Sequence, residues 1–401
     1  MMKKTSMILA LMLFLASFAA HSETFNAGPW RFELKTTYGV VPFVIHFKKS
    51  NNKITGILEN GKETIKLNDI EMTKEQLIIP LQTYEMSLEM DLPEKGLMNG
   101  YLVRHNKNPK VSLPVLAMYN ETERFREEKN KPKIDLNGRW AVMLTDQEDK
   151  SESGVIIFEQ KGNDLTGSIL TPTGDYRYME GFVSGEEFEA ASFDGVYNYV
   201  VKGRLDGEKL EAKVLSTTVT KIEGKKDPKA TLPDAYKQTE LEKPLSFAFP
   251  DLKGRMFSLK SDKFKNKPII LQFFGSWCPN CHDEMNFLIP WYNDNNKRGI
   301  EIIALAFERS VNHEAAKAQL LKTQKKKNIP YTLLIAGSTS EDKPKDKIPG
   351  LKNFISFPTT VFLNKKHEVV KVHAGFSGPS TGEFYEQWKK EFNTTVNELL
   401  K

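Results

Sequence analysis

The chain has 401 residues, 39% of them apolar and 27% charged. That composition belongs to ordinary globular protein and excludes collagen-like and disordered classes; the length exceeds one core and asks for two to four domains. Lys and Arg number 57 against 52 Asp and Glu, a formal charge of +5, and no groove-reading motif is present, so no nucleic-acid partner is expected.

Taken from the N-terminus, Lys3 and Lys4 precede an apolar run over residues 7–20 and the small-residue site Ala20-His21-Ser22. This is the pattern of a secretory signal occupying 1–22, cleaved before Glu23. The alternative, a membrane anchor, would need an apolar run of about 20 residues. No Cys lies near the cleavage site to carry a lipid. The cleaved chain then holds 55 basic against 52 acidic residues, about +3. No later stretch is apolar enough to cross a bilayer, so a soluble periplasmic protein without stable membrane insertion is expected.

Residues 30–221 read as strands throughout. Runs such as Val41-Pro42-Phe43-Val44-Ile45-His46-Phe47 and Tyr197-Asn198-Tyr199-Val200-Val201 alternate with turn signals at Asn51-Asn52, Asn60-Gly61, Gly162-Asn163 and Asp206-Gly207. The half repeats itself at an offset of 111. F-K-K-S-N-N-K-I-T-G from Phe47 matches F-E-Q-K-G-N-D-L-T-G from Phe158, and Trp30-Arg31-Phe32 matches Trp140-Ala141-Val142 at nearly that offset. Two tandem antiparallel all-β domains follow, 23–128 and 129–232, each of seven or eight short strands curled into a barrel or a sandwich. The polar stretch 120–132 reads as the linker between them. A second polar stretch from Gly224 to about Leu241 reads as a linker across which few contacts pass.

The third domain, 240–401, alternates strand and helix. Strands are expected at 269–274, 300–307 and 331–335, with a hairpin of 359–363 and 369–373. Helices are expected at 279–295, 313–327 and 382–400. Both cysteines of the chain, Cys278 and Cys281, lie in the pentapeptide W-C-P-N-C, where the first strand runs into the first helix. An exported protein that used Cys for bracing would scatter its pairs. A thiolate at a helix N-terminus is favoured by unpaired N–H groups and the helix dipole. Pro279 suits the first turn, where its missing N–H has no partner anyway. A second Cys one turn along can resolve a mixed disulfide, with Trp277 covering the pair. Against this stand half of a zinc site, which lacks a second Cys pair, and an inert disulfide, which needs no strand–turn–helix setting. No metal and no cofactor is expected.

With F-F-G-S-W-C-P-N-C-H-D-E-M, then I-P-Y-T-L-L-I-A-G, F-P-T-T-V-F-L and A-G-F-S-G-P-S-T-G, residues 245–401 resemble the TlpA-type branch of the thioredoxin superfamily. The resemblance implies an α/β thioredoxin-like fold and a thiol–disulfide oxidoreductase, more often reducing than oxidising. It implies Cys278 and Cys281 as the redox disulfide, a cis bond before Pro358 beside them, and Glu284 as a buried acid with a raised pKa that takes the proton of Cys281. Partners would be protein thiols and disulfides, with a membrane electron donor re-reducing the pair.

Three departures stand out. Gln272 occupies the place of the buried Asp of thioredoxin itself. Asn286 stands where many relatives have Pro, so Pro290 could kink the helix instead. The G-F-S-G-P-S-T loop lacks the acid of cytochrome c maturation members. His282 and Lys325-Lys326-Lys327 read as solvated surface. Two alternatives stay open: a peroxiredoxin-type thiol peroxidase, against which Gly275 replaces the Thr of a Thr-x-x-Cys site, and a binding protein with an accessory redox domain.

Overall fold

Strands that bury every second side chain must close on themselves or be covered, and the N-terminal half does the first. The computed structural model describes residues 25–51, 53–81, 84–105, 111–233, 245–341 and 344–401. The predicted signal segment, Asn52 of the first hairpin turn and residues 234–241 of the second polar stretch lie outside them. Strands β1 (Gly28–Lys35), β2 (Val40–Ser50), β3 (Lys53–Asn60), β4 (Glu63–Met72), β5 (Gln76–Pro80), β6 (Met86–Asp91), β7 (Leu97–Arg104) and β8 (Val111–Tyr119) form a closed antiparallel barrel, β8 pairing back onto β1.

The second barrel uses β9 (Gly138–Thr145), β10 (Ser151–Lys161), β11 (Asp164–Thr171), the two-residue β12 (Gly174–Asp175), β13 (Met179–Ser184), β14 (Glu187–Phe193), β15 (Asn198–Asp206), β16 (Lys209–Leu215) and β17 (Val219–Lys226). It closes through β9–β17 and β10–β11. Closure pairs strands far apart in sequence, so barrel rather than sandwich is visible only here.

The repeat is structural in detail. Phe47 faces Gly56 across β2–β3, and Phe158 faces Gly167 across β10–β11. In each pair the ring lies over the glycine: a Cβ on Gly56 would meet the Phe47 ring at 3.3 Å, and one on Gly167 the Phe158 ring at 3.0 Å. The Trp30 indole N–H donates to the Asn26 carbonyl and that of Trp140 to the Leu136 carbonyl, four residues back in both cases. One strand breaks the symmetry. Where barrel one runs β4 through Ile65-Lys66-Leu67, barrel two has Tyr176-Arg177-Tyr178, which interrupts the strand between β12 and β13 with Arg177 at φ +61°.

The barrels share a core rather than merely follow one another. Phe43 stacks on Phe193 with ring centroids 3.9 Å apart, and Phe182, Ala191 and Val200 join the apolar cluster of barrel one. The stretch 120–132 staples the two. Buried Arg124 donates to the carbonyls of Pro42 (2.9 Å) and Ala191 (3.2 Å), and pairs with Glu180 at 2.8 Å.

In the C-terminal domain, a hairpin of β18 (Ala248–Pro250) and β19 (Met256–Ser258) precedes a five-stranded sheet. Its strands are β20 (Ile269–Phe274), β21 (Glu301–Glu308), β22 (Thr332–Ser338), β23 (Thr359–Leu363) and β24 (Val369–Ala374), in the order β22-β21-β20-β23-β24. Both β20 and β21 are buried along their whole length, as a run apolar on both faces demands. The helices are α1 (Pro279–Asn295), α2 (His313–Lys327), the single turn α3 (Pro344–Lys347) and α4 (Glu383–Leu399). One face packs on α1, α4 and Leu320 of α2, the other on the Leu245–Phe249 segment, Phe264 and Leu351. Helix α1 continues past Pro290 to Asn295. Two all-β barrels followed by a thioredoxin-like α/β domain is the architecture. No helix among the described residues is long and apolar enough to cross a membrane.

The units are interlocked, which corrects the expectation of a loose join. Among the described residues, barrel two meets the redox domain at and around the broken strand. His282 and Lys326-Lys327, expected on a solvated face, lie against barrel one. Tyr84 packs edge-on against the buried His282 ring at 5.2 Å, and Lys326 pairs with Asp69 at 2.8 Å. Lys327 is held to Asn286 at 2.7 Å. Of the lysine run, Lys325 and Lys326 are exposed and Lys327 is half-buried.

Candidate active site

A fully buried strand, β20, ends at Phe274, and the chain turns through Gly275-Ser276-Trp277 into α1. Three contacts hold that turn. The Ser276 N–H and hydroxyl donate to the Glu308 carboxyl at 2.9 and 2.6 Å. The Ser276 carbonyl accepts from His282 Nε2 at 2.7 Å. The Trp277 indole donates to the Phe307 carbonyl at 2.9 Å. Gly275 is required here, because a Cβ would sit 2.2 Å from the Trp277 indole nitrogen and 2.9 Å from the Phe307 carbonyl oxygen. Burial raises Glu308 to about 7 and, with the Lys327 charge adding to it, lowers His282 to about 3.

Cys278 is the N-cap of α1 and Pro279 its first residue. The Cys278 sulfur accepts from the Cys281 N–H at 3.2 Å, and the two sulfurs are joined as a disulfide. Opposite lies the Phe357–Pro358 peptide bond, which is cis, the isomer the resemblance implied. The Phe357 carbonyl is 3.7 Å from the Cys278 sulfur, and the Phe357 ring meets Trp277 edge-on at 5.6 Å.

Behind the pair, on the same face of α1 as Cys281 and one turn along, Glu284 is 0% exposed. Its two oxygens accept from Thr360 (2.6 Å) and from the Gln272 amide (2.7 Å). Burial outweighs both bonds and pushes the carboxyl up to about 7. Gln272 therefore has a place in the site: it is the partner of this acid.

Cys278 is only 5% exposed, far less than an uncovered thiol at a helix start would be. A cavity of about 520 Å³ reaches it, walled on one side by Trp277 and Phe357 and on the other by Gly174, Asp175 and Tyr176 of barrel two. The Asn280 amide within W-C-P-N-C donates to the Asp175 carbonyl at 3.1 Å. The Asp175 carboxylate accepts from the Gly378 N–H (2.6 Å) and the Ser380 hydroxyl (3.1 Å). The G-P-S loop, which lacks an acid of its own, thus receives one from the neighbouring domain. Burial, and then the nearby Asp283 charge, raise Asp175 to about 6.

Next to it, Arg177 reaches from the broken strand into α1. It binds Asp283 with Nε at 2.9 Å and Nη2 at 3.0 Å, Asp194 at 2.6 Å, and Glu63 of barrel one at 2.5 Å. Burial opposes its charge, but the three carboxylates hold it well above its ordinary value. One side chain ties all three domains beside the redox pair.

Sequence reasoning reached Trp277, Cys278, Cys281, Glu284 and Pro358, which converge here. It missed Thr360, Asp175, Arg177 and Asp283. The available signal was the Tyr-Arg-Tyr standing where the repeat has Ile-Lys-Leu, an anomaly inside a strand.

Residues 242–372 match the AhpC/TSA family. The chain is 28% identical over 151 residues to the thiol-disulfide oxidoreductase ResA of Halalkalibacterium halodurans, covering 38% of this chain and 73% of that one. It is 40% identical over 60 residues to ResA of Bacillus thuringiensis, covering 15% and 34%. Among solved structures, a thiol:disulfide interchange protein of the thioredoxin family from Chlorobium tepidum is 20% identical, with a TM-score of 0.29, covering 42% of this chain and 100% of that one. The C-terminal third is a thioredoxin-like thiol–disulfide oxidoreductase domain, and residues before 242 fall outside the family match.

Proposed function

We propose that the protein is an exported thiol–disulfide oxidoreductase that reduces disulfides of protein partners in the periplasm and is itself re-reduced by a membrane thiol donor. The observation that carries this reading is the Cys278–Cys281 pair at the start of α1, facing a cis Phe357–Pro358 bond with a buried, high-pKa Glu284 behind it. In the reduced protein the Cys278 thiolate attacks a substrate sulfur, the substrate S–S bond breaks, and one substrate thiolate leaves. The Cys281 thiol then gives its proton to Glu284 and attacks the Cys278 sulfur. The second substrate thiolate is released, and the disulfide seen here forms. Two electrons pass to the substrate, whose thiolates take up protons. Trp277 and Pro358 shape the approach to Cys278.

Catalysed reduction of insulin, lost in Cys278→Ser, is the test; no turnover would leave a binding protein with an accessory redox fold. Peroxide consumption tests the peroxidase alternative. That reading is disfavoured because Trp277 and the Phe307 carbonyl leave no room at Gly275 for the threonine such a site needs. Export is checked by the N-terminus of the secreted chain, expected at Glu23.

A further inference from the structure

The cavity over Cys278 is charged on one side. Arg104, at the end of β7 in barrel one, and Arg309, just past β21 in the redox domain, both line it. Arg309 lies over the face of Trp277, its guanidinium carbon 4.6 Å from the ring centroid, and so sits one residue from the nucleophile. Burial, and then the Arg104 charge, pull Arg309 below its ordinary value. Burial does the same to Arg104.

Neither guanidinium makes an ion pair or a hydrogen bond with a described residue. The acids around them do not neutralise them. Glu85 attracts Arg309 without forming an ion pair, the Glu308 carboxyl is committed to Ser276, and Glu152, on barrel two, is itself raised by burial. Arg104 is half-buried and Arg309 exposed; a half-buried cation with no counter-charge is costly and uncommon. The planar forks of both match carboxylates.

We propose that Arg104 and Arg309 form an anion subsite, and that the cleft takes an extended peptide segment whose disulfide-bonded cysteine lies next to an acidic side chain. This rests on the redox reading above and names its substrate class. The cavity volume falls within the roughly 300–1,000 Å³ of ordinary ligand sites, large enough for a few residues of extended chain and too small for a folded domain. All three domains then contribute to substrate binding, with barrel one supplying a charge, barrel two a wall, and the redox domain the sulfur.

The experiment uses the full-length reduced protein and short synthetic peptides of the form Xaa-Cys, their cysteine in mixed disulfide with neutral 2-thiopyridine. On attack, Cys278 bonds to the peptide sulfur, the peptide S–S bond breaks and 2-thiopyridine leaves. Cys281 then displaces the peptide thiol. A charge-assisted contact makes the Glu peptide react about tenfold faster than its Gln twin, with the Lys peptide slowest and the spread shrinking as salt is added. In Arg104→Gln/Arg309→Gln the Glu-to-Gln ratio falls towards one, and Arg309→Glu turns the preference towards Lys. Equal rates for the three peptides, or a ratio that survives the double substitution, overturn the subsite. Glutathione disulfide reacting as fast as the Glu peptide overturns the extended-peptide assignment in favour of a small carboxylate-bearing disulfide. Neutral 2,2′-dithiodipyridine separates the two levels: no reaction with it sinks the redox reading itself, whereas reaction with it and a flat peptide series sinks only the subsite.

Discussion

Replacing Glu284 with Gln separates catalysis from stability, because the two should move in opposite directions. The carboxyl is raised from its ordinary 4.5 to about 7 by burial. Below pH 4.5 it is protonated in both folded and unfolded chains and costs nothing. Between 4.5 and 7 the unfolded chain ionises first, so the fold loses stability as pH rises; above 7 the loss is complete. At about 1.4 kcal/mol per tenfold, that loss is about 3 kcal/mol.

The Gln variant has no such charge to bury. Thr360 can still donate to its amide oxygen, and Gln272 can turn its own amide to accept from the new N–H through an oxygen that has no partner in the structure. Urea denaturation of oxidised protein should therefore show the variant level with the native chain near pH 4 and up to about 3 kcal/mol more stable near pH 8. Release of the second substrate thiol should lose its rise through pH 7 and slow by roughly a hundredfold, as removal of a general base does. A stability difference that does not change with pH would refute the burial argument. An unchanged pH–rate profile would refute the proton transfer.

Cys281→Ser should accumulate mixed disulfides through Cys278, visible on non-reducing gels; trapping through position 281 in the converse variant would reverse the assignment. Arg177→Met leaves buried Asp283 and Asp194, and half-buried Glu63, without their cation, and a cost of about 3–5 kcal/mol in urea is expected; a change under 1 kcal/mol would mean that the cluster is solvated. Gly275→Thr forces Trp277 off the Phe307 carbonyl, with about 1–3 kcal/mol lost to overpacking and slower disulfide reduction. Full stability and activity in that variant would remove the steric argument against a peroxidase site.

What could be read from the chain was local. A strand apolar on both faces, a proline-started helix and two cysteines one turn apart place β20, Cys278 and α1 with little help from elsewhere, and 279–295 and 313–327 are the observed helices. The repeat likewise announced itself through residues that face each other across a hairpin, Phe47 with Gly56 and Phe158 with Gly167. Closure of the barrels, the burial of His282 and the covering of Cys278 depend on surfaces brought together from segments far apart in the chain. No periodicity encodes them. A histidine after W-C-P-N-C looks solvated until Tyr84 arrives from another domain.

The break in the fourth strand of barrel two has a consequence for inheritance. Two copies that began alike no longer have interchangeable roles, since one keeps Lys66 where the other carries the arginine that grips Asp283. Neither end of that grip can be lost alone without stranding a buried charge. Across chains that carry both barrels, positions 177 and 283 should therefore change together, and in free-standing redox domains position 283 should drift. Grafting such a domain onto these barrels should fail unless an acid is restored at 283, whereas Lys66 should tolerate exchange with little consequence.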